Sequence, residues 1–174
     1  MLVIFAGLPG TGKSTIAQPV AARLAAVYLR IDSIEQAIRS SGILPPDADI
    51  GPAGYMTAYR VAADNLRLGR SVVVDSVNPL KITRDAYRAV AVTAGAGVIE
   101  VETVCSDLEI HRRRVETRPP DVEGLALPSW EQVAARAYER WDRPCLRLDT
   151  AQLPVARSVE LILDAVSSAD LRRS

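Results

Sequence analysis

Two cysteines, one histidine and one phenylalanine are all that 174 residues hold of those types, and long apolar runs are missing as well. Cys105 and Cys145 are too few and too scattered for a disulfide framework or a zinc site, which argues for an intracellular chain with packed or partly exposed thiols. His111 has no second histidine with which to share a metal, so the sequence predicts an exposed helix residue there. The apolar run Leu2 to Ala6 is far short of a bilayer span and has no positively charged leader, so it reads as a buried strand rather than a signal peptide. A cytoplasmic protein without a membrane partner is expected. One-sided charge is lacking too, since 21 basic residues meet 21 acidic ones. No whole-molecule field then draws the chain to nucleic acid or acidic lipid, and any affinity for anions has to come from local clusters. Lys13 and Lys81 are the only lysines, a bias from which no function is read.

The rest of the composition, 48% hydrophobic and 24% charged, is that of an ordinary soluble globule, and the length fits a single domain over residues 1–174. Apolar runs alternate with helical patterns along the chain. Strands are predicted at Leu2 to Ala6, Tyr28 to Ile31, Ser71 to Asp75, Val98 to Val104 and Leu146 to Leu148. Helices are predicted at Lys13 to Ala25, Ser33 to Ser40, Gly54 to Leu68, Ile82 to Ala94, Asp107 to Thr117, Ser129 to Trp141 and Pro154 to Ser167. Such alternation implies an α/β fold, a parallel sheet with helices on both faces, whose ligands sit outside the carboxyl ends of the strands. Ser129 with Gln132 three residues on is a capping-box pattern, and Trp130 and Trp141 on the same helix read as packing residues. Two stretches resist regular structure: Gly42 to Pro52, with Pro45-Pro46 and Asp47/Asp49, and Arg118 to Pro128, which opens with Pro119-Pro120. Long loops in a small domain often act as covers, so a lid is expected over roughly residues 112–128.

Directly after the first strand stands Gly7-Leu8-Pro9-Gly10-Thr11-Gly12-Lys13-Ser14, a complete phosphate-binding loop. Its glycines let successive N–H groups converge on one anion, and the helix that follows adds its positive dipole end. The pattern predicts a nucleoside triphosphate ligand cradled by Gly7, Pro9, Gly10, Thr11, Gly12 and Thr15. Lys13 would reach the β- and γ-phosphates and Ser14 would ligate Mg²⁺. A dinucleotide fingerprint fails on spacing, because Thr15 stands where the third glycine would be needed.

Several residues at strand ends are candidates for the remaining chemistry. Asp32 follows the second strand at the same sheet edge as the loop and is expected to hold or deprotonate an acceptor hydroxyl, with helix capping as its ordinary alternative. Glu35 and Arg39 share one helix face, as an ion pair or with Arg39 clamping an anionic part of the substrate. Asp75 closes the strand Val72-Val73-Val74-Asp75 and is expected to organise Mg²⁺ together with Ser14. Asn78 and Arg84 beyond it are candidate contacts to acceptor or phosphate, and Lys81 is a weaker one. Tyr55 and Tyr59 share a face near the expected acceptor pocket, where Tyr55 could line it, although core packing explains both nearly as well. Arg112, Arg113, Arg114 and Arg118 form the one dense cation cluster. Arg114 and Arg118, one helical turn apart and leading into the proline loop, are expected to neutralise charge on a phosphoryl group in transfer, while Arg112 and Arg113 face solvent or touch nucleotide.

With these residues in place the chain resembles the small phosphate-loop kinases: adenylylsulfate kinase, gluconate kinase, chloramphenicol phosphotransferase and the kinase domain of polynucleotide kinases. Gly7 to Ser14 matches the Walker A loop, and Arg30-Ile31-Asp32 is similar to the segment carrying the acceptor-activating aspartate. Val72 to Asn78 with Arg84 resembles the third-strand stretch, and Arg114-Val115-Glu116-Thr117-Arg118 the lid arginines. Ser129-Trp130-Glu131, Tyr138 to Trp141 and Leu148-Asp149-Thr150 resemble the C-terminal part where adenine rests, which makes Thr150 a nucleotide contact. The resemblance implies a P-loop fold with a five-stranded parallel core and a small lid, ATP with Mg²⁺, and transfer of the γ-phosphoryl group to a hydroxyl of a small-molecule acceptor. Asp75-Ser76-Val77-Asn78-Pro79 departs from the Asp-Gly-Phe-Pro-Arg segment of adenylate kinases, which speaks against a nucleoside monophosphate acceptor. A nucleotide-dependent switch or partner-binding ATPase is the rival from another class. A polynucleotide 5′-hydroxyl kinase is a further one, against which the neutral charge argues. Neither acceptor nor oligomeric state is fixed by the pattern, a monomer or weak dimer being expected.

Overall fold

In β1 (Leu2–Ala6) every residue is buried, and because side chains alternate across a strand, Val3 and Phe5 enter one core while Leu2 and Ile4 enter the other. A strand apolar on both faces can only be a central one, and that is where the computed structural model puts it. The structure describes residues 1–45 and 48–172; Pro46 and Asp47 of the first expected loop lie outside the described residues, as do Arg173 and Ser174. After β1 come α1 (Lys13–Arg23), β2 (Val27–Arg30), α2 (Ile31–Ser40), α3 (Ala53–Arg67), β3 (Val72–Asp75) and α4 (Lys81–Thr93). These are followed by β4 (Val98–Val104), α5 (Leu108–Thr117), α6 (Trp130–Ala134), β5 (Leu146–Asp149) and α7 (Val155–Leu171).

The five strands are parallel in the order β2-β3-β1-β4-β5. Connections leaving β1 run toward β2 and those leaving β3 run toward β4, so the order reverses beside β1, where the loops part and leave a crevice at the carboxyl edge. On one face, α1 lays Ile16, Ala17, Val20 and Ala21 against Val3, Phe5 and Val73, and α7 adds Val159, Ile162 and Val166. On the other, Ala58, Ala62 and Leu66 of α3 and Tyr87 and Ala91 of α4 cover Leu2, Ile4, Val72 and Val74. Each large apolar side chain so enclosed contributes about 1.5–3 kcal/mol.

Two departures from the expected elements have physical causes. The helix starting at Lys13 ends at Arg23, two residues early, in a Schellman turn: Ala25 adopts φ 46°, Ala26 N donates to Ala21 O at 2.9 Å, and Ala25 N donates to Ala22 O at 3.2 Å. The helix expected over Ser129 to Trp141 opens with its capping box but stops at Ala134. Tertiary partners take over the backbone beyond it. Glu139 N donates to Pro79 O at 2.8 Å, and the Arg140 carbonyl accepts from Arg84 Nη2 at 3.2 Å. The Trp141 ring lies 4.7 Å from the Arg84 guanidinium. Trp130 and Trp141 therefore do not share a helix.

Candidate active site

Three glycines with positive φ let the β1–α1 turn curl: Gly7 (140°), Gly10 (83°) and Gly12 (87°), the last being the N-cap of α1. Two of them also lack room for a side chain. A Cβ on Gly7 would run into the Thr103 carbonyl of β4, and one on Gly10 would lie 2.6 Å from Val115 Cγ2 of α5. The turn is pinned from below. The Thr11 and Thr103 hydroxyls are 2.8 Å apart, Gly7 N donates to Val77 O at 3.0 Å, and the His111 ring hydrogen-bonds the Pro9 carbonyl at 2.8 Å. His111 is thus buried, with its ring edge-on to Trp130 at 5.2 Å, and corrects the expectation of an exposed helix residue. It supports the loop rather than meeting solvent. Both cysteines are free thiols, Cys105 buried and Cys145 half-buried, with burial pushing the Cys145 thiol up to about 11.

Lys13 is buried, with Nζ donating to Leu8 O at 3.0 Å. Loss of hydration pushes its ammonium down to about 8, against the opposing pull of Asp75 and Asp32. The same pair of carboxylates is therefore close enough to act on the lysine electrostatically. Asp75 is buried at the end of β3 and accepts from Tyr28 Oη at 2.6 Å. Asp32 lies in the first turn of α2, half-exposed, and caps nothing; the N-cap is Arg30. Beside the loop opens a cleft of about 750 Å³ whose walls carry Lys13, Arg30, Arg114 and Arg118 against a single carboxylate, Asp121. Gly10, Gly12, Ser14, Thr15 and Thr150 also line it. A cationic cleft at a helix N-terminus is a site for a polyphosphate. No helix among the described residues is long and apolar enough to cross a membrane. Nor, among the described residues, do three His, Cys, Asp or Glu side chains converge to hold a metal by themselves. One hydroxyl, Ser14, and one buried carboxylate, Asp75, instead fit a Mg²⁺ that takes its remaining oxygens from phosphate and water.

The arginines separate in position. Arg114 is tied to the β5–α7 turn, with Nη1 donating to Thr150 Oγ1 at 2.8 Å and Nη2 to Thr150 O at 3.0 Å. Arg118, just past α5, lies in the cleft with its Nε buried and without a partner. Arg112 pairs with Glu116 on the exposed face of α5, and Arg113 faces solvent. Arg39 donates to Ala48 O at 3.4 Å instead of pairing with Glu35. The Glu35 carboxyl is pushed up by burial first and by Asp32 next.

Asn78 and Arg84, expected to touch acceptor or phosphate, are completely buried and turned away from the cleft. Asn78 Nδ2 donates to Phe5 O at 2.7 Å, and Asn78 N donates to the Tyr55 hydroxyl at 3.2 Å. Arg84 Nη1 holds the carbonyls of Asn78 and Pro79 at 3.2 and 3.3 Å. Together they brace the chain after β3, where Asn78 itself has φ 43°. Tyr55 thus fastens this turn as well as bordering the Glu35 side, and Tyr59 packs edge-on against Tyr87 at 4.5 Å. Lys81 pairs with Asp85 and Asp142 on the surface. Two residues were invisible in the sequence pattern. Arg136 stands near enough to Lys13, Glu35 and Tyr55 for its charge to act on all three, and Asp121 grips Arg30 across the cleft. Each depends on a contact far along the chain.

Solved structures under 25% identical share this fold over nearly the whole chain. The Mycobacterium tuberculosis APS kinase CysC in complex with AMPPNP and APS is 23% identical, with TM-score 0.66, covering 95% of this chain and 96% of that one. A gluconokinase from Sinorhizobium meliloti is 21% identical, with TM-score 0.67, covering 98% and 94%. Chaetomium thermophilum Kti12 in complex with ADP-AlF3 is 21% identical, with TM-score 0.71, covering 97% and 98%. Among curated proteins, the uncharacterized protein Rv2004c of Mycobacterium tuberculosis is 28% identical over 169 residues, covering 91% of this chain. The chain spans about a third of the length of the curated relatives it matches, 33% for Rv2004c. Residues 2–142 match the AAA domain family. With its glycine loop, five-stranded parallel sheet and basic cleft, the chain belongs to that family and has a P-loop nucleotide-binding fold.

Proposed function

We propose that this chain is an ATP- and Mg²⁺-dependent phosphotransferase that moves the γ-phosphoryl group to a hydroxyl of a small molecule. The observation that carries the reading is the convergence of Lys13, Asp75 and Asp32 at one sheet edge, beside a cleft rich in arginine. The acceptor oxygen forms its bond to the γ-phosphorus as the bond to the β–γ bridging oxygen breaks, and ADP leaves. Asp32 orients the hydroxyl and takes its proton, Lys13 and Arg118 balance charge on the phosphoryl oxygens, and Arg114 with Thr150 borders the nucleotide. Ser14 and Asp75 would hold Mg²⁺, which supplies charge neutralisation between the β- and γ-phosphates when bound. Glu35, Tyr55, Arg39 and Arg136 border the acceptor side.

Incubation with γ-labelled ATP, Mg²⁺ and pooled hydroxyl metabolites should move label to an organic acceptor. Asp32→Ala should then slow transfer at least about 100-fold while leaving nucleotide affinity within a few-fold. Full transfer by that variant would remove Asp32 from its role. A nucleotide-dependent switch or partner-binding ATPase is the second reading, and the fold shared with Kti12, a protein solved with ADP-AlF3, is compatible with it. A chain of that kind would release free phosphate and label no metabolite.

A further inference from the structure

Arg30, the last residue of β2, lines the same cleft as Lys13 and Ser14, and the parallel register sets it opposite Asp75. Its side chain is only 10% exposed. Both terminal nitrogens point to one carboxylate, Nη1 to Asp121 Oδ2 at 2.7 Å and Nη2 to Asp121 Oδ1 at 2.8 Å, while Nε is buried without a partner. A weaker contact at 3.5 Å reaches Asp32. Asp121 belongs to the proline loop over the cleft and is itself 54% exposed, so detaching it costs little desolvated structure on its own side. Arg118 lies close enough for Arg30 and Asp121 to act on its charge. Asp121 and Asp32 thus both act on the Arg30 and Arg118 guanidinium groups beside the phosphate loop, but only Asp121 makes the two-point contact with Arg30. The two-point fork that a guanidinium makes with a carboxylate is the one it makes with a phosphoryl group.

We propose that Arg30 is a phosphoryl-contacting residue of this site and that Asp121 is its internal stand-in, displaced from the guanidinium by the terminal phosphate of the bound nucleotide. Arg30 can play this part only if the cleft is the triphosphate site proposed above. Displacement breaks one ion pair and forms another, so no charge is stranded. It also makes the proline loop responsive to the terminal phosphate, because the loop loses its anchor on β2 when that phosphate arrives. A diphosphate lacks the displacing group and leaves the Arg30–Asp121 pair intact.

The test is a double-mutant cycle on the full chain, read by calorimetric titration with Mg²⁺ plus the non-hydrolysable β,γ-imido analogue of ATP and, separately, Mg-ADP. Asp121→Asn should tighten the triphosphate analogue at least about threefold with little change for ADP. In an Arg30→Gln background the same change should have no effect. A gain shared equally by both nucleotides, or one that persists without Arg30, would mean that Asp121 acts only as a nearby charge and would overturn the assignment. Should Arg30→Gln fail to fold, Arg30→Lys, which keeps the charge and lacks the fork, must lose most of the gain. A wild-type protein that binds neither nucleotide would sink the cleft reading itself, a result distinct from binding without the triphosphate preference.

Discussion

Replacing Lys13 by methionine should make the nucleotide-free protein more stable. Burial takes the Lys13 ammonium from an ordinary 10.5 to about 8. A displacement of that size corresponds to about 3 kcal/mol of cost to the folded state whenever the group is charged in both states. Below about pH 8 folded and unfolded chains both carry the proton and the whole cost is present. Between about 8 and 10.5 the unfolded chain holds more of the proton, so the stability contributed by this group rises with pH, and above that range the cost is gone. Methionine has similar reach and no charge to desolvate, but it gives up the bond from Nζ to Leu8 O, which contributes about 1 kcal/mol. The net gain at pH 7 is then about 2 kcal/mol, or a rise in Tm of roughly 4–8 °C for a chain of this size. Calorimetric melts of both proteins at pH 7, 9 and 10.5 give the quantity to follow, the difference between them, in which the other titrating groups cancel. That difference should shrink as pH rises. A variant that melts at or below the wild type at pH 7, or a difference that ignores pH, would refute the desolvation account. With Mg-ATP at 100 times Kd the wild type should gain about 2.7 kcal/mol and the variant almost nothing, which ties the cost of the buried charge to ligand binding.

Gly10→Ala combines a φ of 83° with a Cβ 2.6 Å from Val115 Cγ2 and should cost about 2–4 kcal/mol by chemical denaturation. Gly12→Ala, with φ 87° and nothing nearer than Thr150 Cγ2 at 3.6 Å, should cost only the backbone part, about 1–2 kcal/mol; equal losses would show that crowding by α5 is not what constrains the loop. Arg84→Met leaves the carbonyls of Asn78 and Arg140 without their side-chain donor, removes one of two donors to the Pro79 carbonyl, and should lower stability by about 2–4 kcal/mol, with a change in near-ultraviolet circular dichroism as Trp141 loses the nearer of its two guanidinium neighbours. Ala25→Gly relieves a left-handed alanine in the turn after α1 and should raise stability by about 1 kcal/mol, measured by urea unfolding.

The sheet was legible because its signals are local. Leu2 to Ala6 and Val72 to Asp75 are apolar on both faces, and only a central parallel strand satisfies such runs. The glycine loop was legible for a similar reason, since each of its conformational demands is met by a residue within the motif. Segment 129–141 was misjudged where local pattern met tertiary competition. The capping box starts a helix, yet Arg84 and the Pro79 carbonyl claim the backbone of residues 139 and 140, and no feature of the segment itself announces those partners.

The same distinction decides which candidate site residues could be placed from sequence. Asp32 and Asp75 end or follow strands, so topology alone carries them to the carboxyl edge of the sheet. Arg84 was a candidate because it lies beyond Asp75 in the third-strand stretch, but here the guanidinium is wholly buried, and backbone carbonyls and the faces of Tyr138 and Trp141 stabilise its charge. His111 misled in the opposite sense, a polar residue on an exposed-looking pattern that turns inward to hold the Pro9 carbonyl. Arg30 and Asp121 are 91 positions apart, and Arg136 reaches Lys13 from a segment whose helix ends early. Charges of this kind acquire their meaning only when the fold brings two distant loops to one sheet edge. That edge is where the chain departs from its own local preferences: it buries a lysine, Asn78 just past β3 takes a positive φ, and a carboxylate grips an arginine across the cleft. The stabilisation supplied by the two apolar cores is what allows these costs to stand, and it places them beside the phosphate loop, where a bound polyanion would offset them.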